Sequence, residues 1–169
     1  MNLHLIFPTP FGDAAIIFRE NPFSMIKILL PGSTNQGELS DSAEINDKGL
    51  CQNALAVSES IINYFKGKPV RLRWEQMDMG RLTSLQKSVL AAVADIPYGE
   101  VRSYKEIAHT IKRPRACRFV GTTVAKNPFP ILIPCHRVVR SDGSIGKFGG
   151  GTELKRKLIE LESEYSTHI

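Results

Sequence analysis

Cysteine is scarce in this sequence, with Cys51, Cys117 and Cys135 as the full complement. An odd number without a CxxC pair or metal-ligand spacing argues against a disulfide framework and for free thiols in a reducing compartment. Long apolar runs are also missing, so no membrane span is expected, and no basic-then-apolar leader opens the chain. The expected setting is therefore soluble and intracellular, cytoplasmic or, in a eukaryote, nuclear. The glycine-rich segment Gly143–Gly151 is not followed by a GK[ST] element, which removes a phosphate loop from consideration. Acidic residues run out in one region. Between Arg102 and Lys157 only Glu106, Asp142 and Glu153 oppose thirteen lysines and arginines, whereas Asp13, Glu38, Asp41, Glu44 and Asp47 keep the first third near neutral. With a net charge of +5, this basic half points to a polyanionic partner, nucleic acid first, against the plainer alternative of a solvated surface.

The densest chemistry lies in Asn127–Val139, NPFPILIPCHRVV. Pro128 and Pro130 fix a rigid turn, because each proline sets its own φ and pushes the preceding residue out of helical conformation. Ile131, Leu132 and Ile133 read as buried backbone, and Pro134 stops any ladder. Cys135, His136 and Arg137 then stand between that run and Val138-Val139. A thiol, an imidazole and a guanidinium framed by apolar residues suggest a site, although a free cysteine is also often an inert core residue. Adjacent side chains diverge, so direct contact of Cys135 with His136 is awkward and a bridging water between them fits the geometry better.

Around this stretch, 169 residues allow one or two small domains. Residues 2–7, 14–18 and 25–30 read as strands, the first two joined by a hairpin at Pro8–Gly12. Residues 32–49 read as a surface connection, 50–65 as a helix, and Val70–Trp74 as a further strand. A domain boundary is expected at residue 80, giving a structural domain 1–80 and a functional domain 81–169. Thr83 with Gln86, and Ser103 with Glu106, form capping boxes that open two helices. Pro114 suits the first position of another, from Arg115 to Lys126, so that 104–126 resembles a helix-turn-helix. Gly121 inside that helix implies close approach, to another helix or to a nucleic-acid backbone. A last helix starts near Thr152 with Leu154, Leu158 and Leu161 on one face.

Pro134-Cys135-His136-Arg137-Val138 resembles the signature of the O6-alkylguanine-DNA alkyltransferases, the methylated-DNA–protein-cysteine methyltransferases. The likeness extends over residues 83–162. It takes in Gly99-Glu100-Val101, Ser103-Tyr104, Arg118, Val120-Gly121, Asn127-Pro128, Gly146, Phe148, Gly149-Gly150, Lys155 and Leu158–Glu162. The resemblance implies an α/β (α+β) protein, with an N-terminal small sheet and helix of RNase H-like kind and a mostly helical, winged helix-turn-helix-like C-terminal domain. It implies a cofactor-free monomer that binds double-stranded DNA from the minor groove and flips out O6-alkylguanine, with O4-alkylthymine as a further substrate. The alkyl group passes irreversibly to Cys135, once per molecule. His136 would act through water and be held by Glu162, which could otherwise be an exposed helical residue. Asn127 would brace the turn, and Tyr104 would act at guanine N3. Val138, Phe148, Gly149 and Pro130 would contact the base, Arg118 would fill the vacated stack, and Arg115, Lys126 and Lys105 would meet phosphates.

The sequence departs from the family beside Arg118, where Cys117 and Phe119 replace small residues. Phe119 either turns into the core or wedges beside a base step. Some family members hold zinc near the N-terminus; here His4 alone could ligate before Cys51, so no metal is expected. Two other functions compete: a lesion-binding module that recognises alkylguanine without transfer, and a cysteine hydrolase using Cys135 and His136.

Overall fold

Alternating strand residues and two capping boxes account for most of the elements in the computed structural model, which describes residues 1–45 and 51–167. The chain divides into two compact units, Met1–Asp78 and Met79–Ile169. In the first, β1 (Asn2–Thr9), β2 (Gly12–Arg19) and β3 (Ser24–Leu29) form an antiparallel meander. Thr9 pairs with Gly12 across Pro10-Phe11, so the hairpin loop is two residues and the strands run longer than the sequence pattern suggests. Within the expected surface connection lie a short helix α1 (Gln36–Leu39) and β4 (Ser42–Glu44), which joins the sheet parallel to β1 in the order β3-β2-β1-β4. His4 Nδ1 and Ser42 Oγ lie 2.8 Å apart across that pairing. Helix α2 (Gln52–Tyr64) buries Ala54, Val57, Ile61 and Tyr64 and packs on β1 and β2. The expected start of this helix at Leu50 lies outside the described residues.

Val70–Trp74 does not form the expected strand. Its alternation half-buries Val70 and Leu72, but the chain meets the β3 edge only later, at a single bridge between Met25 and Met77. Trp74–Gln76 is a turn of 3-10 helix instead. An alternating pattern needs a partner edge to become a strand, and among the described residues none pairs with this stretch.

The second unit is built on three helices that contact one another: α3 (Ser84–Ala94), α4 (Tyr104–Thr110) and α5 (Cys117–Ala125). Their inward residues Val89, Leu90, Val93, Ile107, Ala108, Val120 and Val124 are buried. Both capping boxes form, with Gln86 N 3.2 Å from Thr83 Oγ1 and Glu106 N 3.1 Å from Ser103 Oγ; such caps contribute about 1 kcal/mol each. Helix α4 ends in a Schellman arrangement: Arg113 N donates to Ala108 O at 2.9 Å and Lys112 N to His109 O at 2.9 Å. Lys112 takes the left-handed φ of 57° usually left to glycine. The following helix starts at Cys117, two residues later than expected, because Ala116 N closes a turn onto Arg113 O at 2.8 Å. Two-residue strands β5 (Arg102–Ser103) and β6 (Val138–Val139) pair in parallel, Arg102 with Val138 and Ser103 with Val139. That pairing ties the start of α4 to the segment just after Cys135. The last helix, α6 (Thr152–Ser166), buries Leu154, Lys155, Leu158 and Glu162. Leu161 is only half-buried, so the inward row runs 154–158–162 rather than through Leu161, and it carries two charges inward. The small sheet with packed helices and the helical second unit give the mixed α/β class expected from the sequence. Among the described residues, no helix is long and apolar enough to cross a membrane.

Candidate active site

The rigid turn expected at Asn127 is held by that residue from both sides. Its Nδ2 donates to Ile133 O at 2.8 Å, and its Oδ1 accepts from Phe129 N at 3.0 Å, an Asx turn as its position before Pro128 suggests. Ile131 is forced to a φ of 72°, a conformation that strains a β-branched residue by roughly 1–3 kcal/mol. Tight hydrogen bonds from Ile133 N to Phe129 O and from Cys135 N to Ile133 O, both 2.8 Å, then deliver the chain into a 3-10 turn at Cys135–Arg137. Every residue from Phe129 to Val139 is buried, Pro130 among them. The Cys135 thiol is 3 % exposed. Burial pushes its pKa up to about 11, although the Asn127 hydrogen bond and the Lys155 charge pull the other way. The resting group is therefore a thiol, not the standing thiolate that a perturbing field would give.

Next to it, Glu162 collects four donors. His136 Nε2 lies 2.5 Å from Oε1, and Arg137 Nε donates to Oε2 at 2.8 Å. Arg137 Nη2 reaches Oε1 at 3.0 Å, and Gly99 N donates to Oε2 at 2.9 Å. Burial alone would raise the carboxyl pKa, but His136 and Arg137 outweigh it and hold Glu162 down at about 2. Burial also lowers the pKa of His136, with Glu162 opposing, so the ring is a neutral base. Arg137 further donates from Nη1 to Ile96 O at 2.6 Å, and its guanidinium lies 5.4 Å from the centre of the Tyr98 ring. Reading the sequence placed Glu162 with His136 but assigned Arg137 no separate role. An arginine beside a reactive cysteine and a buried-row glutamate is the signal that could have found the ion pair.

On the other side of the turn stands Lys155, fully buried, its Nζ 2.5 Å from the Val138 carbonyl and 3.4 Å from Tyr104 Oη. Burial draws its pKa down to about 8, against the pull of Cys135. Sequence alone gives Lys155 no role of its own; its contacts with Val138 and Tyr104 emerge only in the fold. The Val138 carbonyl keeps a second lone pair for a ligand. Tyr104 has its pKa raised, chiefly by burial. It lines a cavity of about 470 Å³ together with Arg118, Gly121, Lys126, Arg140 and Gly146. Gly121 faces Tyr104 at the start of α4, but a Cβ there would lie 3.8 Å from Cδ1, an ordinary contact, so packing within the protein does not require the glycine. Arg118 and Lys126 are exposed on this cavity, and Phe119 is half-buried beside them. Arg115 stands apart, in a basic hollow of about 430 Å³ with Lys112 and Arg113. Lys105 is exposed on α4. Phe148 is half-buried and Gly149 exposed in the glycine-rich loop, where a Gly149 Cβ would come 3.6 Å from Ala125 O. Among the described residues, no three of His, Cys, Asp and Glu converge on a point that could hold a metal.

These states predict a selectivity. At about pH 7.5, iodoacetamide is expected to modify half-buried Cys117 before buried Cys135. Labelling of Cys135 should climb steeply only as the pH approaches about 11. Peptide mapping over a pH series checks this, and fast labelling of Cys135 at neutral pH would contradict the buried thiol.

Comparison with known proteins bears on the same residues. The family model "6-O-methylguanine DNA methyltransferase, DNA binding domain" matches residues 84–164. A methylated-DNA–protein-cysteine methyltransferase of Mycolicibacterium paratuberculosis is 37 % identical over 139 residues, 80 % of this chain and 83 % of that protein. One of Methanosarcina barkeri is 46 % identical over 99 residues, 59 % of this chain, and the matched region spans 61 % of that relative's length. The crystal structure of Mycobacterium tuberculosis OGT in complex with DNA superposes with a TM-score of 0.77 at 29 % identity, covering 96 % of this chain and 93 % of that one.

Proposed function

The chain belongs to the methylated-DNA–protein-cysteine methyltransferase family, and from that premise we propose that it repairs DNA by moving an alkyl group from guanine O6 to Cys135. The observation that carries this reading is the buried thiol set one residue from a buried histidine that lies 2.5 Å from the Glu162 carboxylate. The base is extruded from the duplex into the cavity edged by Tyr104 and Gly146, because O6 is out of reach inside the stack. Exposed Arg118 fills the gap from the minor groove, with Arg115, Lys126 and Lys105 on the phosphates. Phe148, Gly149, Pro130 and the Val138 carbonyl frame the base.

The thiol must lose its proton as the base arrives. A bridging water passes the proton to His136, whose positive charge Glu162 then balances. The sulfur attacks the alkyl carbon, the S–C bond forms and the C–O6 bond breaks with its electron pair remaining on guanine. Tyr104 stabilises that leaving charge at N3, with Lys155 close to its hydroxyl. The product is a thioether, which cannot regenerate the thiol, so each molecule acts once and needs no cofactor. The same attack geometry suits O4-alkylthymine. The protein acts as a monomer inside the cell.

Incubation with DNA carrying O6-methylguanine is expected to add a single methyl group to the Cys135 peptide by mass spectrometry, and Cys135→Ala should abolish it while retaining DNA binding. Methyl on Cys117 or Cys51, or none on folded protein, would sink the reading. Lesion binding with no transfer would instead favour a damage-recognition module.

A further inference from the structure

Arg137 is buried, and the reaction as derived above does not use it. Its guanidinium is spent on Glu162: Nε reaches Oε2 at 2.8 Å and Nη2 reaches Oε1 at 3.0 Å. Oε1 is the same oxygen that faces His136 Nε2 at 2.5 Å. Whether that short contact is N–H donating to a carboxylate, or a carboxyl O–H donating to a ring nitrogen, decides which imidazole nitrogen is basic. An ionised Glu162 leaves the proton on Nε2 and the lone pair on Nδ1. A protonated Glu162 reverses the assignment and leaves a ring unable to accept a proton at Nδ1.

The geometry points to Arg137 as a positioning residue that fixes the tautomer of His136 by keeping Glu162 ionised. A buried carboxyl facing only a neutral imidazole and one backbone N–H would share or retain its proton, since burial disfavours a lone charge. The bidentate guanidinium removes that option, and it is itself held by Ile96 O at 2.6 Å. Other groups facing this network are Tyr98, whose phenol burial and Glu162 push up to about 12, and Lys155 from the same helix as Glu162. Tyr98 stays neutral, and Lys155 acts in the same direction as Arg137 by disfavouring a charged His136. Arg137 thus does two things at once: it holds the carboxylate anionic and keeps the ring neutral until a proton arrives from Cys135.

The kinetic part of this inference rests on the alkyl-transfer reading, whereas the tautomer is a property of the resting protein. The test is ¹⁵N NMR of histidine-labelled full chain. In the wild-type protein the His136 pair is expected to show the Nε2–H pattern at neutral pH, with no protonation near the ordinary 6.5. In Arg137→Gln the pattern should shift toward Nδ1–H or imidazolium, while Arg137→Lys should restore Nε2–H. The transfer rate of Arg137→Gln at neutral pH should fall about 100-fold, the size of a lost general base, with its acid limb moved to higher pH. A folded Arg137→Gln that keeps wild-type ¹⁵N signals and pH profile, changed only in melting temperature, overturns the inference. So does an Nδ1–H or charged ring in the wild-type protein, which settles the matter even if the variants do not fold. Absence of transfer in the wild-type protein would count against the repair reading alone.

Discussion

Glu162→Leu is expected to destabilise the second unit by about 3–5 kcal/mol, the range seen when one partner of a buried ion pair is removed. The loss follows from what remains: Arg137, His136 and Gly99 N–H would all face an apolar side chain in a buried site. This figure is the cost of orphaning the donors; replacing both charges by apolar residues of similar shape would cost far less. Glu162→Gln should fall between, because it retains acceptance without charge. Urea denaturation followed in the full chain measures both. The pH dependence has a definite sign. Glu162 has its folded-state pKa lowered from 4.5 to about 2, so its contribution is complete above 4.5 and is lost as pH falls toward 2. Acid unfolding of Glu162→Gln should lack that component, and an unchanged acid limb would show that the carboxylate is not held as described.

Gly146→Ala should cost activity far more than stability. A Cβ at this position would overlap the Tyr104 hydroxyl and stand 2.9 Å from ring atoms Cε2 and Cζ. The ring can yield on the side of Gly121, where even an added Cβ would stand 3.8 Å from Tyr104 Cδ1, so the clash is relieved by moving the tyrosine. Shifting Tyr104 would withdraw its hydroxyl from the cavity, and a displacement of about 1 Å near reacting groups can reduce rate about 100-fold. Single-turnover transfer kinetics, with Tyr104→Phe for comparison, are the measurement. A Gly146→Ala protein as fast as wild type would mean that the tyrosine hydroxyl takes no part.

Much of the second unit was legible because its signals are local. A capping box is complete within four residues, and Thr83 with Gln86 and Ser103 with Glu106 form as written. The proline turn at Asn127 is likewise self-contained. Long-range pairing was less readable: Val70–Trp74 alternates like a strand but meets no edge, and β4 was hidden in a polar connection that gains order by lying beside β1. In the site, Cys135 and His136 stood out from their apolar frame, whereas Glu162 was named through family resemblance, since periodicity alone would have turned Leu161 inward and left Glu162 in water. The ion pair of Arg137 was harder to read, because it joins residues 25 positions apart that no repeat relates and only the company of the cysteine hints at it. The upward push on the thiol pKa was missed for a similar reason, as burial is a property of the whole packed unit.

The reach of the Glu162 contacts also sets an order of assembly. Gly99 and Glu162 are separated by 63 positions, and His136 and Glu162 by 26. Contacts this distant in sequence form after local helices, and chain synthesis exposes the earlier residues first. The three helices α3, α4 and α5 can therefore associate while Arg137 and His136 are still hydrated, and the reactive turn is sealed only when α6 docks. Slowing that docking, by weakening Leu154 or Leu158, would lengthen the interval in which Cys135 is open to adventitious oxidation before it has met any DNA.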